Sequence, residues 1–169
     1  FGAGHAVVIH DSAQPSVSRR KMAFTDAIFD GSAMLDGVWA QRADSLEDLE
    51  TLLAVGRLIP LITLPLPLIL ENLAPTVLVD ARMKKRQQPE TQIQLAPLTI
   101  GLGPNFIAGE TVHLAVETGR GGNLGRVITH GTTEPLHGEP KSINGHARDR
   151  YVYAPLAGVF QTNQQIGAR

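Results

Sequence analysis

The sequence contains no cysteine among its 169 residues. A disulfide framework, a zinc–thiolate site and a cysteine nucleophile are therefore excluded. Disulfides mark oxidising compartments, so a cysteine-free chain agrees with the cytoplasmic location that we expect. Strong charge is missing too: the formal net charge is −1. That balance gives no electrostatic footprint for nucleic acid or for an acidic membrane surface, and we expect neither partner.

A long uninterrupted hydrophobic run is also absent. The longest, "LIPLITLPLPLIL" at residues 58–70, is too short to cross a bilayer and contains Pro60, Pro65 and Pro67. We therefore predict no membrane span. The first residue is Phe1, not methionine, and we expect the chain to be part of a longer protein.

The first half of the chain alternates strand-like and helix-like segments. Strands are predicted at residues 6–10, 34–41, 58–62 and 76–79, and helices at residues 17–29 and 45–55. The second helix has the clearest signals, with Ser45 and Asp48 in a capping box and Gly56 at its end. Alternation of this kind predicts an α/β fold with a partial Rossmann-like parallel sheet over residues 1–86. Asp11 and Asp80 follow or end predicted strands, where functional side chains of such sheets gather.

From residue 87 to 169 the pattern changes to short strands and glycine-rich connections. Strands are predicted at residues 98–102, 111–117, 126–129, 151–154 and 158–161. Such a pattern indicates a small β-rich domain of the barrel or sandwich-hybrid type.

The standard nucleotide motifs are not found. Gly2 and Gly4 precede a strand instead of following one, Leu124 stands where a third Rossmann glycine belongs, and no Walker A triplet occurs. If the first strand and its glycine loop lay upstream of Phe1, Asp11 would occupy the position that contacts a ribose; an ordinary strand end is the alternative. The six histidines are scattered without metal-ligand spacing, and we expect no metal site.

The stretch "AVETGRGGNLGRVITHG" at residues 115–131 is open to two interpretations. Backbone N–H groups around Gly121 and Gly125 can form an anion-binding nest, with Arg120 and Arg126 clamping a phosphate. The alternative is a hairpin connection, in which glycine supplies the positive φ angles that the turn needs. Local physics alone favours the hairpin.

Several blocks in the same order resemble one known family. They are "AQPSVSRRKMAFTDAIFDG" (13–31), "VLVDARMKKR" (77–86), "IGLGPNFIAGETVHLAVETGRGGNLGRVI" (100–128) and "YAPLAGVF" (153–160). These blocks look like the YqeB-type proteins of the selenium-dependent molybdenum hydroxylase system, which are related to the XdhC/CoxI accessory proteins. The chain departs from the expected pattern at Asn105, where glycine is expected, at Gly119, where a polar residue is expected, and at residues 135–140.

This resemblance implies an accessory factor that handles or inserts the molybdenum–pterin cofactor for a client molybdenum hydroxylase, with a homo-oligomer left open. A nucleotide is the other ligand considered. The alternatives are an NAD(P)- or nucleotide-dependent enzyme whose glycine loop lies upstream, and a structural subunit of a hydroxylase complex. The candidate cofactor-binding residues are Asp11, Arg19, Arg20, Asp80, Lys85 (or Lys84), Gly103, Glu117, Arg120, Gly121, Gly125 and Arg126.

Overall fold

The computed structural model describes residues 1–15, 20–84, 87–119, 121–136, 142–156 and 162–165. These residues form two compact units, Phe1–Ala74 and Pro75–Gln165. The boundary between them along the chain follows Ala74, twelve residues before the boundary that the sequence suggests at residue 86. Each unit has its own four-stranded sheet.

The first sheet contains β1 (Ile9–His10), β2 (Ser32–Leu35), β3 (Val38–Ala43) and β4 (Ile59–Ile62). Its strand order is β1-β4-β3-β2, with β4 parallel to both β1 and β3. The single strand expected over residues 34–41 is wrong, because β2 and β3 form an antiparallel hairpin. Asp36 and Gly37 turn the chain with φ angles of 49° and 80°. Two successive positive φ angles are typical of the type I′ turn, whose twist matches that of the paired strands.

Three helices accompany this sheet: α1 (Ala27–Asp30), α2 (Leu46–Val55) and α3 (Leu66–Leu73). The prediction for α2 is confirmed, since the Ser45 side chain accepts a hydrogen bond from the Asp48 N–H and Gly56 ends the helix at φ 68°. The long helix expected over residues 17–29 is wrong for its described part. Only a 3₁₀ turn (Phe24–Asp26) and α1 form there, because Lys21 has φ 62° and Ala23 is extended. Residues 16–19 lie outside the described residues.

Apolar side chains cover both faces of the first sheet. Leu49 of α2 and Ile69 of α3 pack with Ala43 and Ile62, while Ala27 and Ile28 of α1 pack with Leu61. Burial on both faces explains why β4 reads as a continuous apolar run. Pro65 and Pro67 begin α3, where proline is tolerated. None of the helices in the described part of the chain has the length and apolar character needed to cross a membrane.

The second sheet contains β5 (Val77–Asp80), β6 (Leu98–Leu102), β8 (Leu114–Val116) and β9 (Val127–Ile128) in the order β5-β6-β8-β9. The first three strands are parallel, and β9 is antiparallel to β8. β7 (Ile107–Ala108) and β10 (Gly131–Thr132) form a separate antiparallel pair. The chain is therefore an α/β protein, as predicted.

The described strands of the second unit do not close into the small barrel that the sequence suggests. The parallel pairing of β5, β6 and β8 produces an open sheet instead. Residues 151–154 form no strand, and a 3₁₀ turn (Arg148–Arg150) precedes them. The strand expected over residues 158–161 falls outside the described residues.

Candidate functional site

The parallel strands of the second unit bring three candidate residues to one edge of the sheet. Asp80 ends β5, Gly103 directly follows β6, and Glu117 directly follows β8. Because β5, β6 and β8 run in the same direction, their carboxyl ends share an edge. Ligands of open parallel sheets bind in crevices outside such edges. This edge is the candidate site.

Asp80 is the most heavily bonded acid of the site, and it is 7% exposed. Its Oδ2 accepts hydrogen bonds from Arg82 Nη2 at 2.6 Å and from Gln92 Nε2 at 2.5 Å. Burial alone would raise the pKa of Asp80, but the donors of Arg82 and Gln92 outweigh it and lower the pKa. Asp80 is therefore ionised at neutral pH, and its role is to position Arg82 and Gln92.

Two further charges extend this group. Arg82 also reaches Glu90 at 2.8 Å, and Lys84 reaches the other oxygen of Glu90 at 2.7 Å. The bond to Lys84 is the main reason that the pKa of Glu90 falls to about 2, with Arg82 contributing. Asp80, Arg82, Lys84 and Glu90 thus form a network in which the charges balance.

Gly103 allows a backbone conformation and a close approach that a side chain would strain. Its φ is 103°, and an added Cβ would lie 2.8 Å from Met83 Sδ and 3.2 Å from Thr118 Oγ1. The Thr133 hydroxyl donates to the Gly103 carbonyl at 2.9 Å. Gly103 therefore brings three segments of the edge together through its backbone.

Glu117 organises the connection between β8 and β9. This side chain is 3% exposed, and its two oxygens accept the N–H groups of Gly119 at 2.6 Å and Glu134 at 2.7 Å. Burial opposes ionisation, but the N–H donors of Gly119, Glu134 and Thr118 prevail and lower the pKa of Glu117. The carboxylate therefore holds the loop to the segment that contains Glu134.

The backbone of Glu117 closes the same loop. Its N–H donates to the Arg126 carbonyl at 3.0 Å, and its carbonyl accepts the Gly125 N–H at 2.8 Å. The stretch at residues 115–131 thus connects two antiparallel strands, as the hairpin interpretation predicts. Gly125 has φ 82°, whereas added Cβ atoms at Gly121 and Gly122 would meet only open space. Arg126 is exposed beside them.

Two candidates, Asp11 and Arg20, lie in the first unit. Asp11 follows β1, its N–H donates to the Ile62 carbonyl at 3.3 Å, and its Oδ1 accepts the Ser12 N–H at 2.7 Å. Arg20 bonds Asp26 and also Asp30 at 2.5 Å, with its guanidinium 4.6 Å above the Phe29 ring. These bonds to Asp30 and Asp26 raise the pKa of Arg20. Arg20 therefore serves the first unit's own ion pairs.

Three candidates lie outside the described residues: Arg19, Lys85 and Arg120. Of the departures from the family pattern, Asn105 adopts φ 74°, the left-handed conformation that the expected glycine would supply. Its side chain donates to the Gln87 carbonyl at 3.1 Å. Sequence reasoning did not find Gln92, Thr133 or Glu134, since their roles depend on contacts distant in sequence. Across the ranges that the structure describes, no group of three or more His, Asp or Glu residues could hold a metal ion.

Comparison with known proteins found a match to a curated protein. It is 38% identical over 167 residues to "Uncharacterized protein YqeB" of Escherichia coli (strain K12). The aligned stretch covers 99% of this chain and 30% of that relative. No family model matches the chain, and no solved structure matches it. The chain is therefore similar to this relative along nearly all of its own length, but it spans under a third of the relative's length.

Proposed function

We propose that the chain contributes to an accessory factor that handles or inserts a molybdenum–pterin cofactor for a molybdenum hydroxylase in the cytoplasm. One observation carries the proposal: three residues that the resemblance marks lie at the same carboxyl edge of the second sheet, namely Asp80, Gly103 and Glu117. The glycine-rich connection from β8 to β9 begins at this edge, and its Gly121 and Gly122 have open space beside them. Such an edge is the usual ligand position in parallel sheets. The whole-chain similarity to YqeB supports the family context.

The residues present fit the phosphate end of such a cofactor, or of a nucleotide. Gly121 and Gly122 leave open space above their backbone, which allows an anion to approach their N–H groups. Arg126 supplies an exposed guanidinium at the same loop, suited to bidentate phosphate contacts. When bound, the group would bring the metal centre that the client enzyme uses, and this chain would hold only its anionic end.

The buried acids of the edge are compatible with an anion nearby. Asp80 is paired with Arg82, and Glu117 is surrounded by backbone N–H donors, so neither carboxylate is left uncompensated. Gly103 admits the close backbone approach that keeps the edge compact. In this proposal Glu117 is a positioning residue, because it holds the loop and does not contact the ligand.

Direct titration tests the proposal. We expect the chain to bind the phosphorylated pterin cofactor or a nucleotide such as CTP or NAD in calorimetry. We expect Arg126→Ala to weaken binding by about 10- to 100-fold, since a charge-assisted hydrogen bond contributes about 1.5–3 kcal/mol. The matched control is Arg57→Ala, which removes an exposed arginine of the first unit, whereas Arg126 belongs to the second.

The outcomes separate the candidate functions. Binding of NAD(P) without the pterin cofactor would favour a nucleotide-dependent enzyme over an accessory factor. Stoichiometric co-purification with a hydroxylase through a salt wash, without ligand binding, would favour a structural subunit. If no ligand binds, or if Arg126→Ala and Arg57→Ala behave alike, the loop is not the binding site.

A further inference from the structure

Two cations of the second unit converge on one exposed carboxylate. Arg82 Nη2 lies 2.8 Å from Glu90 Oε2, and Lys84 Nζ lies 2.7 Å from Glu90 Oε1. Each oxygen of this carboxylate is thus held by a different positive group. Arginine and lysine hold the oxygens of a phosphate group through the same charge-assisted hydrogen bonds. The geometry is therefore that of an anion site occupied by a side chain of the protein itself.

The arginine of this pair is held by the fold and not by Glu90 alone. Asp80, which is 7% exposed, accepts hydrogen bonds from Arg82 Nε at 3.1 Å and from Arg82 Nη2 at 2.6 Å. It also accepts the backbone N–H of Arg82 at 3.0 Å, and Gln92 fixes the carboxylate from another segment. The guanidinium therefore keeps its position when the anion beside it is exchanged.

Glu90 is the most exposed member of the network. Its side chain is 62% exposed, against 40% for Arg82 and 30% for Lys84. Exposed ion pairs contribute little to stability, because water solvates both ions and a long side chain loses rotamer freedom on pairing. The pKa of Glu90 is about 2, mainly because of Lys84, so the position favours negative charge. The cations favour an anion at this place, but the fold does not depend on that anion being Glu90.

The cation pair lies at the carboxyl edge that forms the candidate site. β5 ends at Asp80, and Arg82 follows two residues later. Met83, between the two cations, approaches Gly103 so closely that a Cβ added to the glycine would lie 2.8 Å from Met83 Sδ. The same Cβ would lie 3.2 Å from Thr118 Oγ1, in the segment that leads into the glycine loop. The cation segment and the start of the loop therefore meet at one residue.

We propose that Arg82 and Lys84 form a binding site for a phosphate or diphosphate group, and that Glu90 occupies this site until the ligand displaces it. The inference rests on the proposed function for the identity of the ligand, and it adds a second anion-binding position at the same edge. Displacement keeps the charge balanced, because the ligand replaces the negative charge of Glu90. Glu90 thus competes with every incoming anion, which favours ligands that also contact the glycine loop.

NMR measurement of amide chemical shifts during titration with inorganic pyrophosphate tests the site. We expect the signals of Arg82 and Lys84 to move. Glu90→Gln should lower the dissociation constant by about threefold or more, because an exposed ion pair no longer competes. Lys84→Gln should raise it by about fivefold or more, since a charge-assisted hydrogen bond is lost. Glu110→Gln is the matched control, because it removes an exposed carboxylate from the turn after β7 and changes the net charge equally.

A gain as large in Glu110→Gln as in Glu90→Gln would overturn the proposal, since it would then reflect net charge alone. Absence of any shift at Arg82 and Lys84, in the original chain and in Glu90→Gln, would overturn it as well. Cytidine diphosphate and cytidine form a second arm, in which Glu90→Gln should strengthen binding of the diphosphate only. Equal gains for both ligands would show that the site does not recognise the diphosphate group. Circular dichroism checks that each variant folds.

Arg126→Ala separates this inference from the proposed function. Shifts at Arg82 and Lys84 that persist in Arg126→Ala would support the second site, even where the glycine loop binds nothing. Shifts confined to Gly121, Gly122 and Arg126 would support the loop and overturn the second site.

Discussion

Glu117 shows how one buried carboxylate can organise a glycine-rich loop. Its two side-chain oxygens and its own backbone bond four different residues, namely Gly119, Glu134, Arg126 and Gly125. These bonds cross from the end of β8 to both the glycine loop and the segment before residue 136. The loop therefore depends on an ionised acid, although the ligand proposed for it is an anion.

Glu117→Gln should lower the free energy of unfolding by about 1–3 kcal/mol at pH 7, because the new NH₂ group faces a buried N–H donor. Glu134→Gln is the control, since it keeps the backbone N–H that Glu117 uses and changes an exposed side chain. Urea unfolding of both variants measures the difference. Equal losses in the two variants would contradict the role given to Glu117.

The same contact predicts a pH dependence. The folded pKa of Glu117 lies below its ordinary value of 4.5, so the ionised group stabilises the fold fully above pH 4.5. That contribution should be lost as the pH falls through the lower folded pKa. The loss should be smaller in Glu117→Gln, and unfolding measured from pH 7 to pH 3 compares the two. Parallel curves for the original chain and the variant would contradict the assignment.

Gly101→Ala should be among the most destabilising small changes in the second unit. The added Cβ would lie 2.3 Å from the Phe106 ring, which is itself 97% buried and cannot move freely. We expect a loss of about 1–3 kcal/mol from overpacking. Gly122→Ala, where a Cβ meets open space, should cost under about 0.5 kcal/mol. Thermal unfolding distinguishes them, and similar melting temperatures would contradict the packing.

Local chemistry decided which elements could be predicted from the sequence. α2 was predictable because Ser45, Asp48 and Gly56 act within a few residues of one another. The β2–β3 hairpin had a local signal as well, in Asp36-Gly37, but the apolar pattern across residues 34–41 suggested one strand. The helix expected at residues 17–29 failed because apolar spacing says nothing about the left-handed backbone at Lys21.

The residues of the candidate site also divide into those that the sequence pointed to and those that it did not. Asp80 could be placed at a strand end from sequence, and family resemblance pointed to Gly103 and Glu117. Their partners Gln92, Thr133 and Glu134 could not be predicted, because these bonds join residues 12, 30 and 17 positions apart.

Gly37→Ala tests the turn that sequence reasoning missed. A Cβ at φ 80° costs about 1–2 kcal/mol, so the variant should unfold at lower temperature. Gly37→Asn should recover part of the loss, because asparagine tolerates the left-handed region. Equal melting temperatures for the Gly37→Ala and Gly37→Asn variants would contradict the left-handed turn geometry at Gly37.

At the scale of the molecule, each unit has its own core. Leu49, fully buried, belongs to the first, whereas Phe106 and Val112 belong to the second. We expect Leu49→Ala to cost about 2–5 kcal/mol and to speed amide exchange in β3 and β4. Exchange in β6 and β8 should change far less, and mass spectrometry of the peptides reports both. Uniform acceleration across both sheets would show that the chain unfolds as a single cooperative body.

The boundary at Ala74 and Pro75 also has a consequence for synthesis on the ribosome. Every strand and α-helix of the first sheet lies before residue 75, so the unit's secondary structure is complete in the nascent chain early. At about 5–20 residues per second, the following ninety or so residues take roughly 5 to 20 seconds to appear. The first unit can therefore fold while the second is still being translated.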